Sequence, residues 1–360
     1  MSAQTKDFPG LHAATRILRH ARAVAFLALW AAWRCLAAEP DPLFALWSKL
    51  PAECRERIGL GGKPDEKGWV GYNRIHHRWD TAANQRSAMF YLMNAAVRGD
   101  AKTAEDGWRA VEAAFAQLQP DGSFNSHYDD GRPARREDCF SDNAFWLSHF
   151  CQAALVLRAS PLSDQFRERI QKLRPQLRRA ADFLMEGRSH LKRADAGAVN
   201  RLFIDAVAYG LSGVLLDDET LKTTGKQAAD FGLERQREDG VFLEHNGADS
   251  SYQAVSIQFL QTFALYFPDK RYDEALSRAA RWMLGRILPS GQVDVTGNTR
   301  TGLGQERLYG RPKGVNYNHV FMGLGLYGLR AGDAIAVEAA ERAFKFYVES
   351  RRARSAGKGK

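Results

Sequence analysis

The stretch KQAADFGLERQREDGVFLEHNGADSSYQAVSIQFLQTFALYF, residues 226–267, holds the pattern that decides the fold. Its first part, Lys226-Gln227-Ala228-Ala229 to Phe231, sets small residues and an aromatic at helical spacing, as an amphipathic helix requires. Its middle, Asp239-Gly240-Val241-Phe242, is a stop, with Gly supplying the positive φ that such turns need. Its last part, Tyr252 to Phe267, is apolar on most faces and reads as a helix buried inside the molecule.

The same unit recurs outward in both directions. Small-residue helices appear at Trp108 to Phe115, Arg179 to Phe183, Arg278 to Trp282 and Glu338 to Phe344. Further turns stand at Asp121-Gly122-Ser123-Phe124 and Ser290-Gly291-Gln292-Val293. Apolar helices are expected at Ala83 to Val97, Asp142 to Leu157, Asn200 to Leu216 and Asn316 to Leu329, each roughly 22 to 26 Å long at the helical rise. An alternation of this kind every 50 to 70 residues or so is a repeat signature. The polar residues of the apolar helices gather at their N-terminal ends, which in a closed arrangement converge on one cleft. The expectation is therefore all-α: an α/α toroid, an incomplete barrel of about five to six helical hairpins. Leu43 to Ile58 would add a sixth helix or half-hairpin.

The chain has 360 residues, of which 45% are hydrophobic and 26% charged, a globular composition without the marks of disorder or of a disulfide scaffold. Residues 1–38 read as a secretory signal peptide: Arg16, Arg19 and Arg22 precede an apolar run of 11 residues from Ala23 to Trp33, and Ala37-Ala38 follow. That run is too short to span a bilayer, which takes roughly 20 residues, so no stable membrane span is expected and the mature chain is expected in a secreted or periplasmic location. The toroid is assigned to residues 39–345 and a basic tail to 346–360. Of the net charge of +9, the leader contributes +4 and residues 351–360 contribute +5, leaving the body formally neutral. A neutral body gives no footprint for nucleic acid, and any basic cleft must be assembled locally. After the leader three cysteines remain, Cys54, Cys139 and Cys151, without metal or redox spacing.

One constellation carries chemistry. Asn200 opens one apolar helix, in Gly197-Ala198-Val199-Asn200-Arg201. His245 follows the Gly240 turn, in Asp239-Gly240-Val241-Phe242-Leu243-Glu244-His245, and Tyr252 opens the next apolar helix. Arg300, then Arg307 and Arg311, come one hairpin later. In this order the residues resemble the toroidal domain of the hyaluronate, chondroitin AC and xanthan lyase family of polysaccharide lyases, without its C-terminal β-domains. The likeness runs roughly from Asp142 to Arg311, and Phe145-Trp146 after Asn143 resembles that family's sugar-stacking aromatic patch.

The resemblance implies β-elimination on an acidic, uronic-acid polysaccharide. Asn200 would neutralise the substrate carboxylate, Tyr252 and His245 would move the protons, and Arg307 and Arg311 would lower the Tyr252 pKa and hold substrate. Asn143, Phe145, Trp146, Arg201, Arg300, Arg311, Tyr317 and His319 would bind substrate, and no metal or other cofactor is called for.

Two other readings compete. A glycoside hydrolase on the same toroid would need two carboxylates about 5 to 9 Å apart, for which Glu244, Asp249, Asp294 and Asp142 are available. A non-catalytic glycan-binding toroid would use the aromatics and arginines alone. Gln236-x-x-x-Gly240-x-Phe242 is similar to the Gln/Trp repeats of triterpene cyclases, but no D-x-D-D run accompanies it.

Overall fold

The computed structural model describes residues 41–302, 306–308 and 311–357. The expected signal peptide lies outside these residues. The rest is one helical body, opening with α1 (Pro42–Lys49), α2 (Ala52–Leu60) and the single-turn α3 (Gly71–Ile75). Five hairpins follow. Their inner helices are α4 (Ser87–Arg98), α6 (Arg136–Ala159), α10 (Val199–Leu216), α12 (Ser250–Tyr266) and the run made by α14 (Tyr317–Val320), a π-helical turn (Phe321–Gly325) and α15 (Leu326–Ala331). Their outer helices are α5 (Ala101–Phe115), α8 (Arg174–Glu186), α11 (Glu219–Leu233), α13 (Lys270–Leu284) and α16 (Ala334–Gly357). Two short helices, α7 (Ser163–Lys172) and α9 (Arg188–Ala194), sit in the connections of the second hairpin. The only paired strands among the described residues are β1 (Arg307–Leu308) and β2 (Arg311–Pro312), a two-residue antiparallel ladder. This is the expected all-α toroid. The tail expected from residue 346 departs from that reading, because α16 continues helical to Gly357.

Each inner helix packs on the next around the ring, α4 on α6, α6 on α10, α10 on α12 and α12 on the π-helical turn. The gap between α15 and α4 is closed by α1 and α2. Trp47 of α1 stacks on Phe90 of α4, and Arg57 of α2 donates to the Tyr347 hydroxyl of α16 at 3.2 Å. Asp41, the N-cap of α1, accepts a 2.9 Å hydrogen bond from Tyr266 at the C-terminal end of α12, so α1 seals the C-terminal ends of the inner helices. The cleft is left at their N-terminal ends. α10 is long and apolar enough to cross a membrane, but 89% of it is buried within the body, as a central core helix should be.

A repeated clamp joins the hairpins. The backbone N–H of Phe124 donates to Asn143 Oδ1 (3.3 Å), and Asn143 Nδ2 donates back to the carbonyl of Gly122 (2.9 Å). Gln253 holds Phe242 and Gly240 in the same way (3.0 and 3.0 Å), and Gln85 holds Val70 and Gly68 (2.9 and 2.8 Å). At the last turn the Tyr317 hydroxyl accepts the Val293 N–H at 3.1 Å. Each clamp satisfies backbone groups that the chain buries where one hairpin meets the next. Gln236, from the motif that is similar to cyclase repeats, donates to the carbonyls of Gly240 (3.1 Å) and Ala275 (2.8 Å), pinning the end of α11 to α13. The π-helical turn is satisfied likewise, with Gln261 Nε2 of α12 donating to the carbonyls of Met322 and Gly323.

Candidate active site

The cleft of about 190 Å³ is built from the N-terminal ends of four inner helices and the loop before α14. Arg86 comes from the turn that leads into α4, and Phe145 and His149 from α6. Asn200, Arg201 and Ile204 come from α10, and Ser251, Tyr252, Val255 and Phe259 from α12. Arg300, Glu306 and Lys313 arrive from the connection after α13, and Asn316 and His319 from the start of the last inner run. Asp249 fixes one wall. Its carboxylate caps α12 through the backbone N–H groups of Ser251 and Tyr252 and also accepts from the backbone of Arg300 and Thr301 (3.0 and 2.7 Å).

At the centre is the Tyr252 phenol. Its hydroxyl donates to Glu306 Oε2 at 2.8 Å and accepts from the Lys313 ammonium. Arg300 lies over its ring, 4.1 Å from the centroid, and bonds both Glu306 (2.9 Å) and the buried carboxyl of Glu244. Burial pushes the Tyr252 pKa up, Arg300 opposes it, and Glu306 adds to the rise. The phenol is therefore protonated at neutral pH, with a carboxylate placed to take its proton and an ammonium placed to replace it. Lys313 is held below the ordinary lysine value, chiefly by burial.

The opposite wall is cationic with an aromatic floor. Arg86 and Arg201 lie 5.2 and 6.0 Å from the Phe145 ring centroid. Asn200 is 4% exposed, and its Oδ1 has no partner among the described residues. Two neutral histidines complete the floor. His149 Nδ1 donates to the Phe145 carbonyl (2.8 Å) and His319 Nδ1 to Gln258 Oε1 (2.6 Å), which leaves each Nε2 an acceptor. Burial lowers both pKa values to about 3. Arg86, Arg201, Arg300 and Lys313 meet Glu306, Glu244 and, through its 3.2 Å pair with Arg201, the buried Asp195; with Glu244 and Asp195 both shifted toward the neutral form, the balance favours an anion. The unpartnered Asn200 Oδ1 and the two imidazole acceptors call for hydrogen-bond donors on the same ligand.

Glu244 sits beneath this arrangement, with its carboxyl pushed up to about 7 because burial outweighs Arg300, which it shares with Glu306. Its folded pKa exceeds the unfolded value of about 4.3, so the folded state keeps a proton that the unfolded chain has lost. That contribution to stability is full below about pH 4.3 and is lost as pH rises to 7. Asp142, pushed up to about 6 by burial, adds to the same decline. Glu244→Gln is expected to flatten the fall of the urea midpoint between pH 6 and 7.5, where Asp142 contributes little. Superimposable profiles for the two proteins would show Glu244 ionised throughout.

The structure sorts the residues named from sequence. Asn200, Tyr252, Arg201, Arg300, Phe145 and His319 all line the cleft. His245 stands at the rim in left-handed backbone (φ 50°), its Nε2 3.9 Å from Glu244, with its pKa lowered by burial and Arg300. Four expectations are corrected. Trp146 is fully buried against Phe115, Phe124 and Phe150, so it offers no stacking face. Asn143 is fully buried and spent on the Gly122 clamp, and the Tyr317 hydroxyl is spent on Val293. Arg307 is exposed on β1 and is not among the described residues that line the cleft; the arginine that opposes the rise of the Tyr252 pKa there is Arg300. The backbone of Arg311 lies in β2, and its side chain falls outside the described residues. Of the carboxylates weighed for hydrolysis, Asp249 is a helix cap and Asp294 bonds its own turn at Thr296 N (2.9 Å).

Sequence reasoning missed Arg86, Lys313 and His149 and gave Glu306 no firm role. Arg86 carried a usable sign, being polar and next to the N-terminal end of an inner helix. Lys313 lies in a connecting loop, and His149 sits within an apolar helix where it reads as core.

No family model matches the chain, and no curated protein matches it. Several solved structures are similar in fold. The type II terpene cyclase MstE from Scytonema, in complex with geranylgeranyl dihydroxybenzoate as substrate, is 16% identical, with 84% of this chain and 86% of that chain covered at a TM-score of 0.44. The same cyclase bound to its product, merosterolic acid A, gives 16% identity, 85% and 86% coverage and a TM-score of 0.43. The Lin0763 protein of Listeria innocua is 14% identical, covering 87% of each chain at a TM-score of 0.44. Likeness at this level concerns the helical toroid alone.

With terpene cyclases standing where polysaccharide lyases were expected, the reading of a lyase, a hydrolase or a glycan binder acting on an acidic polysaccharide is withdrawn. The site agrees with that correction. The Tyr252 phenolate needed as a base is disfavoured, and the aromatic platform for a sugar chain is half buried in the core.

Proposed function

We propose that the protein is an enzyme that moves a proton to or from a carbon of a small hydroxylated aromatic acid bound in this cleft. The observation that carries the reading is the Tyr252 hydroxyl set between Glu306 and Lys313, facing a pocket with anion-binding groups on one wall. Such a phenol can give a proton and regain it from Lys313, or pass one to Glu306, so both directions of general acid–base transfer are supported. Arg86, Arg201 and Lys313 suit the carboxylate. His149, His319 and Asn200 Oδ1 suit hydroxyl donors, and Phe145, Ile204, Val255 and Phe259 suit a ring. A volume of about 190 Å³ exceeds the ~150 Å³ cavity that holds benzene, so a substituted single ring fits.

The test is incubation in D₂O with mono- and dihydroxybenzoates, their prenylated derivatives and hydroxyphenylacetates, reading deuterium at carbon by mass spectrometry. Protein-dependent incorporation into one of them is the expected result, with binding weakened at least about tenfold, or 1.4 kcal/mol, by Arg201→Ala. Compounds that bind in the cleft without exchanging would remove the catalytic reading. A panel in which none binds would remove the ligand class.

A further inference from the structure

A second cavity lies away from the cleft, behind α10 and between α9 and α11. Its volume is about 160 Å³. Asp205 lines it and is 4% exposed, with no hydrogen bond to any described residue. Burial, with Asp195 nearby, pushes its carboxyl well above the usual carboxylate range against the pull of Arg201, the direction that favours the protonated, donating form. The other polar groups are engaged or peripheral. Tyr209 donates to the Leu184 carbonyl (3.0 Å), Thr224 donates to the Thr220 carbonyl (2.9 Å), and Gln227 is exposed. The walls are Leu191, Leu202, Ala228 and Phe231, and the mouth carries two exposed cations, Arg188 and Lys192, the latter 4.4 Å from the Phe231 ring centroid.

A buried carboxyl left without a partner costs free energy that a purely structural position would avoid, since an apolar side chain would fill the same place. The asymmetry of the cavity states what would complete it: an acceptor for the Asp205 proton at the bottom, an apolar ring between, and an anion at the mouth. A cationic ligand is disfavoured by Arg188 and Lys192. A cavity of this size admits one six-membered ring.

We propose that this cavity is a second ligand site, independent of the cleft, for a small aryl carboxylic acid bearing a hydrogen-bond acceptor opposite its carboxylate. Asp205 donates to the acceptor, Phe231 and Leu202 flank the ring, and Arg188 and Lys192 hold the carboxylate. The acceptor at the far end separates this class from the hydroxyl-donating acids suited to the cleft.

The probe is 3-fluoroisonicotinate, which has a ring nitrogen as acceptor and no donor, titrated against the full chain and followed by fluorine NMR. Saturable binding below about 1 mM is expected, a modest −4 kcal/mol. Ala228→Phe, which fills the cavity, and Lys192→Glu, which is exposed and leaves the fold alone, are each expected to weaken it at least tenfold. Asp205→Asn keeps a donor and should retain binding, whereas Asp205→Leu should lose it. Phe145→Ala, in the cleft, should leave it unchanged. Loss on Phe145→Ala with retention on Lys192→Glu would overturn the proposal by placing the acid in the cleft. Failure to saturate by about 10 mM, or equal binding by the Asn and Leu variants at 205, would overturn it as well.

Discussion

Tyr252→Phe is expected to lower deuterium incorporation into the substrate by about 10² to 10⁴-fold, the usual worth of one general acid–base group. The change removes one hydroxyl and keeps the ring, on which Arg300 rests at 4.1 Å. Binding should therefore stay within about threefold, well under the 1.4 kcal/mol that a tenfold change represents. The loss should appear in the rate and not in affinity, because the hydroxyl stands between Glu306 and Lys313 as the group that hands a proton to the ligand, while the ring that the ligand packs on is unchanged. Glu306→Gln should slow transfer less. It removes one partner of the relay but leaves the phenol and Lys313 in place. A Tyr252→Phe protein that exchanged at the original rate would remove Tyr252 from the chemistry, and a large loss of affinity instead would make it a binding group.

The architecture was legible because its cause is periodic. The small-residue helix, the Gly turn and the apolar helix recur, and each recurrence matches a real hairpin, down to the clamps at Gly122, Gly240 and Gly291. Sites are not periodic. Asn200, Tyr252 and Arg201 were readable because they stand where polar residues open apolar helices, which is a local fact. Tyr317 also opens its helix, and Asn143, expected at a helix start, lies inside α6; both face the turns and not the cleft, as helical phase decides. Within Asn316-Tyr317 and Tyr252-Gln253, one member of each pair lines the cleft and the other holds a turn. Sequence spacing does not fix that phase, because the preceding loops differ in length. The same limit shows in the Asn, His, Tyr, Arg order: the Arg that meets Tyr252 is Arg300, and of Phe145-Trp146 only Phe145 meets the cleft.

Gly240→Ala is expected to destabilise the protein by more than about 3 kcal/mol, among the largest effects of a single methyl group. Two costs combine at this position. The backbone is at φ +95°, beyond the left-handed region that non-glycine residues tolerate. The added Cβ would also lie 2.3 Å from the carbonyl oxygen of Arg278 on α13, a backbone atom that cannot rotate away. Relief would require moving the turn off α13, which would break the Gln253 and Gln236 bonds to the Gly240 carbonyl together. Gly332→Ala separates the two costs. Gly332 is the left-handed C-cap of α15 at φ +69°, and a Cβ there meets nothing within 4 Å. It should cost only about 1 kcal/mol, the backbone preference alone. Urea unfolding of the two variants and the parent measures the difference directly. If both lost the same amount, the Gly240 turn would owe its glycine to dihedral preference alone. The close seat on Arg278, repeated by Gly122 on Arg179 and Gly291 on Arg342, would then not be what locks one hairpin to the next.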